Sequence, residues 1–202
     1  MDLFNNDEVN LFGQGQNLLP FDGEVLLYPY FFKDDVFTRL VEETPWKQDK
    51  MTIYGKEIDF PRLTAWYGDS DEVYVYSGVV NVPVKFSPLL NDIKQAAEQQ
   101  CGHQFNTALL NYYRDGNDSM GWHSDDESEL GVNPVIASVS FGASRMFQFK
   151  HKKQKDAKVS VELHNGDLLI MQGKTQHNWL HQVPKTAKKP GPRINITFRW
   201  IG

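Results

Sequence analysis

The segment running from Arg193 to Trp200 alternates polar and apolar side chains without a break. Successive side chains of a strand point to opposite faces, so Arg193, Asn195, Thr197 and Arg199 share one face while Ile194, Ile196, Phe198 and Trp200 share the other. The same period of two recurs in residues 105–113, 134–142, 144–150, 159–164 and 167–172, each run bounded by Gly, Asn, Asp or Pro. Many short strands of this kind predict a mainly β sandwich or jelly roll with flanking helices. Upstream, residues 24–32 read as a strand, 33–44 as a helix stopped by Pro45, and 51–60 as a hairpin turning at Tyr54, Gly55 and Lys56. A second helix is better marked. Ser87 is its N-cap, Pro88 suits the first helical position, and Leu89, Leu90, Ile93, Ala96 and Ala97 form one apolar face before Gly102. Residues 1–20 read as a polar arm and 21–202 as one domain.

Composition narrows the chemistry. With 202 residues, 40% hydrophobic and 23% charged, the chain suits one globular domain. No run of apolar residues is long enough for a membrane helix, and no signal peptide opens the chain, so a cytoplasmic protein is expected, or a nuclear one in a eukaryote. The single cysteine, Cys101, excludes an intramolecular disulfide and a thiolate-rich zinc site, which leaves His and carboxylate as metal ligands. The formal charge is −5, yet residues 150–193 carry ten basic and three acidic side chains, leaving −12 on the remainder. Attraction to phosphate follows local potential more than total charge, so a basic face on an acidic body is compatible with nucleic acid.

Three groups of residues carry candidate chemistry. The polar face of 193–199 has a counterpart in Leu109, Asn111 and Tyr113, and a lining of Arg, Asn and Tyr suits a small dicarboxylate. In Gly121-Trp122-His123-Ser124-Asp125, an extended backbone points His123 and Asp125 the same way, towards one cation. A further histidine would complete a facial triad suited to non-haem Fe(II). Spacing alone leaves His151, His164, His177 and His181 open for that place, with His103 a weaker choice.

The order Asn111-Tyr112-Tyr113, His123-x-Asp125, His181, then Arg193-x-Asn195-x-Thr197-x-Arg199 resembles the core signature of the AlkB family of Fe(II)- and 2-oxoglutarate-dependent dioxygenases. The resemblance runs from about residue 54 to 200. It implies a double-stranded β-helix (jelly roll) core with a nucleotide-recognition lid over roughly residues 50–80. It implies that His123, Asp125 and His181 bind Fe(II), that Arg193 pairs with the distal carboxylate of 2-oxoglutarate beside Tyr113 and Asn195, and that Asn111 and Arg199 complete the cosubstrate site. O₂ is the second cosubstrate.

Within the family, the chain is similar to the branch acting on double-stranded DNA. Tyr74, Tyr76 and Ser77 resemble the lid over a flipped base, Tyr54 a wedge at a hairpin tip, and Glu127, with Asp126 beside it, the acidic group that reads the base. Lys150, Lys152 and Lys153 are expected at phosphates, with Arg114 and Arg145 as further candidates. The implied reaction is oxidative demethylation of 1-methyladenine, 3-methylcytosine and etheno adducts, releasing formaldehyde and succinate, by a monomer acting on double-stranded and also single-stranded DNA. Two alternatives are a 2-oxoglutarate-dependent demethylase or hydroxylase of RNA or protein, and a non-catalytic nucleic-acid-binding β-sandwich.

Overall fold

The computed structural model describes residues 16–53, 56–69, 74–76, 79–81 and 83–202. In chain order the elements are β1 (Glu24–Tyr28), α1 (Phe37–Glu43), the hairpin β2 (Lys50–Ile53) and β3 (Lys56–Asp59), β4 (Leu63–Gly68), a second hairpin β5 (Tyr74–Tyr76) and β6 (Val79–Asn81), and α2 (Pro88–Cys101). There follow β7 (Thr107–Tyr113), β8 (Met120–His123), β9 (Ile136–Gly142), β10 (Arg145–His151), β11 (Lys158–Leu163), β12 (Leu168–Gln172), α3 (Thr175–Asn178), β13 (Trp179–Val183) and β14 (Arg193–Arg199). A major sheet has the order β1-β12-β9-β14-β7-β4 and a minor sheet the order β11-β10-β13-β8, all pairs antiparallel.

The jelly roll has two apolar layers. On the outer face of the major sheet, Leu89, Leu90, Ile93, Ala96 and Ala97 of α2 and Leu40 of α1 pack on Ala108, Leu110, Ile194, Ile196 and Phe198. Between the sheets lie Ile136, Phe147, Phe149, Leu169, Met171, Trp179 and Val183. β14 is therefore covered on both sides, and every one of its residues is buried. Its apolar row faces the helices, and its polar row faces the space between the sheets. That space is where a cluster of charged side chains can be desolvated and held in fixed geometry.

Several boundaries differ from the sequence reading for local reasons. The first strand ends at Tyr28 because Pro29 precedes Tyr30, which turns the chain at φ 52° and donates its N–H to Asp167 Oδ1. The helix expected over 33–44 is shorter, since Asp35 Oδ1 accepts the N–H of Phe37 and the backbone turns extended at Thr44. α2 has the expected caps: Ser87 Oγ accepts from Leu90 N, and Gly102 takes φ 65°. Leu19, within the stretch read as an arm, is 3% exposed and belongs to the inter-sheet core.

The loop from β7 to β8 is fixed by ionic contacts. Asp118 accepts hydrogen bonds from Arg114 N, Nε and Nη2 at 2.9, 2.7 and 2.9 Å. Arg145, 3% exposed, donates to the carbonyls of Asp115, Asp118 and Pro184. Burial raises the Asp118 pKa, but the Arg114 bonds outweigh it and leave the carboxyl below its usual range. A depressed folded pKa gives stability that is present above the unfolded value, near 4, and is lost as pH falls through the folded one. Asp118→Asn is expected to cost about 1–2 kcal/mol near neutrality. In thermal melts the gap to wild type should narrow as pH falls below the unfolded value near 4; a gap independent of pH would mean that charge plays no part.

Candidate active site

His123 ends β8 and His181 lies in β13, and the antiparallel register sets them directly opposite each other. Their ring centroids are 4.2 Å apart. Asp125, two residues beyond His123, is 1% exposed, and one ligand atom from each of the three residues falls within 4.8 Å of the others. His123 Nδ1 lies 2.9 Å from Gly121 O. A carbonyl only accepts, so Nδ1 carries the proton and Nε2 keeps its lone pair, 3.9 Å from Asp125 Oδ1.

Electrostatics puts each group in its metal-binding form. Burial, reinforced by the neighbouring His123, brings His181 down to about 3, and burial lowers His123 as well, so both imidazoles are neutral. For Asp125 burial pushes the other way, but the charge and hydrogen bond of Arg199 overcome it and hold the carboxyl at about 2. Arg199 Nη2 donates to Asp125 Oδ1 at 3.0 Å, while Oδ2 is buried with no hydrogen-bond partner among the described residues. Two neutral imidazoles and an ionised carboxylate with a bare buried oxygen fit a divalent cation, and three ligands leave coordination positions open.

The polar row of β14 continues from this cluster. Its register places Asn195 opposite Asn111 and Arg193 opposite Tyr113. Asn195 Nδ2 donates to Ser138 Oγ at 2.8 Å, and Thr197 Oγ1 donates to Asn195 Oδ1 at 3.0 Å. Arg193, 1% exposed, lies over the Tyr113 ring at 5.3 Å and donates from Nη2 to Ser140 Oγ at 2.8 Å. Among the described residues its Nε and Nη1 have no hydrogen-bond partner. Burial brings its pKa down to about 10, which still leaves a full positive charge at neutral pH. A buried guanidinium of this kind suits an anionic partner, although Arg193 itself is not among the residues that line the pocket. Asn111, Tyr113, His123, Asp125, His181, Asn195 and Arg199 line one pocket.

The other histidines stand elsewhere. His151 Nδ1 accepts from Lys153 N and Gln154 N, and its Nε2 is 3.4 Å from Asp22 Oδ2. His164 bonds Ser144 Oγ at 2.7 Å, while His103 and His177 are exposed.

Glu127 is half-buried, its Oε2 has no partner among the described residues, and burial raises its pKa. Asp126 is exposed and pairs with Lys152 at 2.9 Å. The three lysines do not form one patch. Lys150 lies over the Trp122 ring at 4.4 Å, Lys152 also donates to Gln176 O at 2.8 Å, and Lys153 is exposed. Register alternation sends Lys150 to the outer face of the minor sheet, since its neighbour Phe149 pairs with His181 and is buried in the inter-sheet core. Tyr74 and Tyr76 belong to β5, but their side chains, together with Tyr54 and Ser77, lie outside the described residues.

Two neighbours of the site carried no sequence signal. Arg62, 2% exposed, donates from Nε to Asn111 Oδ1 at 2.6 Å, and Gln176, 0% exposed, accepts from Asp125 N at 3.0 Å. They reach the site across 49 and 51 residues of chain, which no local spacing reveals.

A two-histidine, one-carboxylate group between the sheets of a jelly roll defines the class: a non-haem iron oxygenase site. Comparison with known proteins agrees. Residues 26–199 match the 2OG-Fe(II) oxygenase superfamily. The chain is 43% identical over 177 residues to alpha-ketoglutarate-dependent dioxygenase alkB homolog 3 of Bos taurus, covering 83% of this chain and 61% of that one. It is 41% identical over 192 residues to the Homo sapiens alkB homolog 3, covering 88% and 66%. To the DNA oxidative demethylase ALKBH2 of Mus musculus it is 36% identical over 178 residues, covering 83% and 74%. The solved structure of OsALKBH1 shares the fold, with a TM-score of 0.62 at 18% identity, covering 87% of this chain and 96% of that one. The chain therefore belongs to the AlkB family of the 2OG-Fe(II) oxygenase superfamily. It spans 61–66% of the length of the alkB homolog 3 relatives. Membership implies Fe(II), 2-oxoglutarate and O₂, and the buried His-Asp-His donor set fits the iron.

Proposed function

We propose that this protein is a DNA repair dioxygenase that oxidatively demethylates N-alkylated bases, with 1-methyladenine and 3-methylcytosine as substrates. The observation that carries the reading is the buried His123-Asp125-His181 cluster placed beside a buried, anion-ready arginine face. The DNA substrate draws support from relatives named DNA oxidative demethylases.

His123, Asp125 and His181 hold Fe(II), which, when bound with 2-oxoglutarate and O₂, supplies the oxidation of the N-methyl carbon. Arg193 takes the distal carboxylate of 2-oxoglutarate with its two idle donors, next to Tyr113 and Asn195. Asn111 and Arg199 would shape the end nearer the metal, and Arg199 also fixes the Asp125 carboxylate through Oδ1. Glu127 receives the flipped base. The cationic charge of 1-methyladenine or 3-methylcytosine favours its ionised form and offsets the burial that raises its pKa. Tyr76 and the His123 ring flank the base, Tyr74 and Ser77 belong to the lid, and Tyr54 wedges the gap in a duplex. Lys153 is the exposed phosphate contact, and duplex DNA is the preferred form.

The test is mass spectrometry of single-stranded and duplex oligonucleotides bearing each lesion, incubated with Fe(II), ascorbate and 2-oxoglutarate. Loss of the methyl group with matching succinate is expected; succinate that forms only with methylated RNA or a peptide would move the reading to those substrates. Glu127→Gln is expected to lower kcat/KM for cationic 1-methyladenine roughly ten- to hundredfold, and less for a neutral etheno adduct. Equal losses on both would remove the charge argument.

A further inference from the structure

Gln176 is the least exposed polar residue near the metal cluster, and among the described residues its amide has two partners. Oε1 accepts from Asp125 N at 3.0 Å, and Nε2 faces Met171 Sδ at 3.6 Å, a weak acceptor. The opposite amide orientation would set NH₂ against the Asp125 N–H, so this one is fixed. Gln176 stands on α3, whose start is anchored to β1, where Thr175 Oγ1 accepts from Glu24 N at 2.8 Å. Lys152 closes the arrangement. Its Nζ donates both to Gln176 O at 2.8 Å and to Asp126 Oδ2 at 2.9 Å, and its backbone N donates to Asn178 O at 2.7 Å. The segment Asp125-Asp126 is thus held to α3 directly at the backbone of the first residue and through Lys152 at the side chain of the second.

We propose that Gln176 and Lys152 form a clasp that positions Asp125 as a metal ligand, and that Lys152 serves this clasp rather than DNA phosphate. The physical reason is leverage. Arg199 fixes one oxygen of the carboxylate, but the place of the whole carboxylate relative to the two imidazoles depends on where the Asp125 backbone sits, and Gln176 holds that backbone. Outer groups that orient metal ligands are worth roughly 10–100-fold in metal affinity. The charge of Lys152 is already matched by Asp126, so neutralising a phosphate would require breaking that ion pair first.

The proposal rests on reading His123, Asp125 and His181 as the metal ligands, and the experiment separates the two failures. Co(II) affinity and its d–d absorption spectrum are measured for wild type, His181→Ala, Gln176→Met, Lys152→Met and Lys152→Arg. His181→Ala that binds Co(II) like wild type overturns the ligand assignment and the clasp with it. With that control lost as expected, Gln176→Met should bind roughly 10–100-fold more weakly with an altered spectrum. Lys152→Met should weaken binding by a smaller factor, and Lys152→Arg should restore it. Wild-type affinity and spectrum in Gln176→Met and Lys152→Met would overturn the clasp. Lys152 is partly exposed, so its variants report even if Gln176→Met does not fold. The slope of log DNA affinity against log salt, measured for Lys152→Met, should match wild type; a slope shallower by roughly 0.9 would make Lys152 a phosphate contact and overturn its part in the clasp.

Discussion

Replacing His181 by Ala is expected to abolish Fe(II) binding and with it all 2-oxoglutarate turnover, whereas His177→Ala should leave both close to wild type. The two residues are four apart in sequence, but His177 is exposed in α3 and His181 faces His123 across a strand pair. Removing a group that only orients a ligand costs roughly 10–100-fold in metal affinity, so loss of a direct ligand should exceed that. His181 is also suited to the role because it is held neutral: no proton has to be displaced near pH 7 before the metal enters. Calorimetric titration with Mn(II) or Co(II) checks the pair. Retained binding in His181→Ala, or loss in His177→Ala, would place the third ligand elsewhere.

Arg193→Gln is expected to raise the KM for 2-oxoglutarate by about 30- to 3,000-fold while Co(II) still binds. The range follows from the 2–5 kcal/mol lost when one partner of a buried, hydrogen-bonded charge pair is truncated, at roughly 1.4 kcal/mol per factor of ten. The residue is 1% exposed with Nε and Nη1 idle, so the protein bears the desolvation cost before any anion arrives. A keto-diacid should therefore raise the Tm of the wild-type chain and leave that of the variant almost unchanged. Arg193→Lys should restore little, because a point charge cannot reproduce a fork of two parallel donors. An unchanged KM in Arg193→Gln would put the distal carboxylate away from Arg193.

The strand runs and the second helix were legible because burial on one face or both leaves a periodic trace. β14 shows this well: Ile194, Ile196 and Phe198 meet the helices, and the intervening polar residues meet the inter-sheet space. β4 and β13 left weaker traces. β4 reads Leu-Thr-Ala-Trp-Tyr-Gly and is buried along nearly its whole length, so it has no polar face to alternate with. β13 is only five residues long and begins directly at the end of α3.

Residue types and local spacing, by themselves, determined a mainly β chain, a His-x-Asp pair pointing one way and an Arg-Asn-Thr-Arg row on one strand face. Those features follow from backbone geometry within a few residues. Local spacing left four histidines open, and it was the resemblance of the whole motif order to a family that singled out His181. Why that histidine sits beside the pair was decided by the β8–β13 register, which sets it opposite His123. The engagement of Arg145 in three loop carbonyls, the division of Lys150, Lys152 and Lys153 among different surroundings, and the contacts of Arg62 and Gln176 were likewise decided by tertiary structure. A side chain's charge and shape are written in the sequence, but the partner that uses up its hydrogen bonds is chosen by packing between segments far apart in the chain.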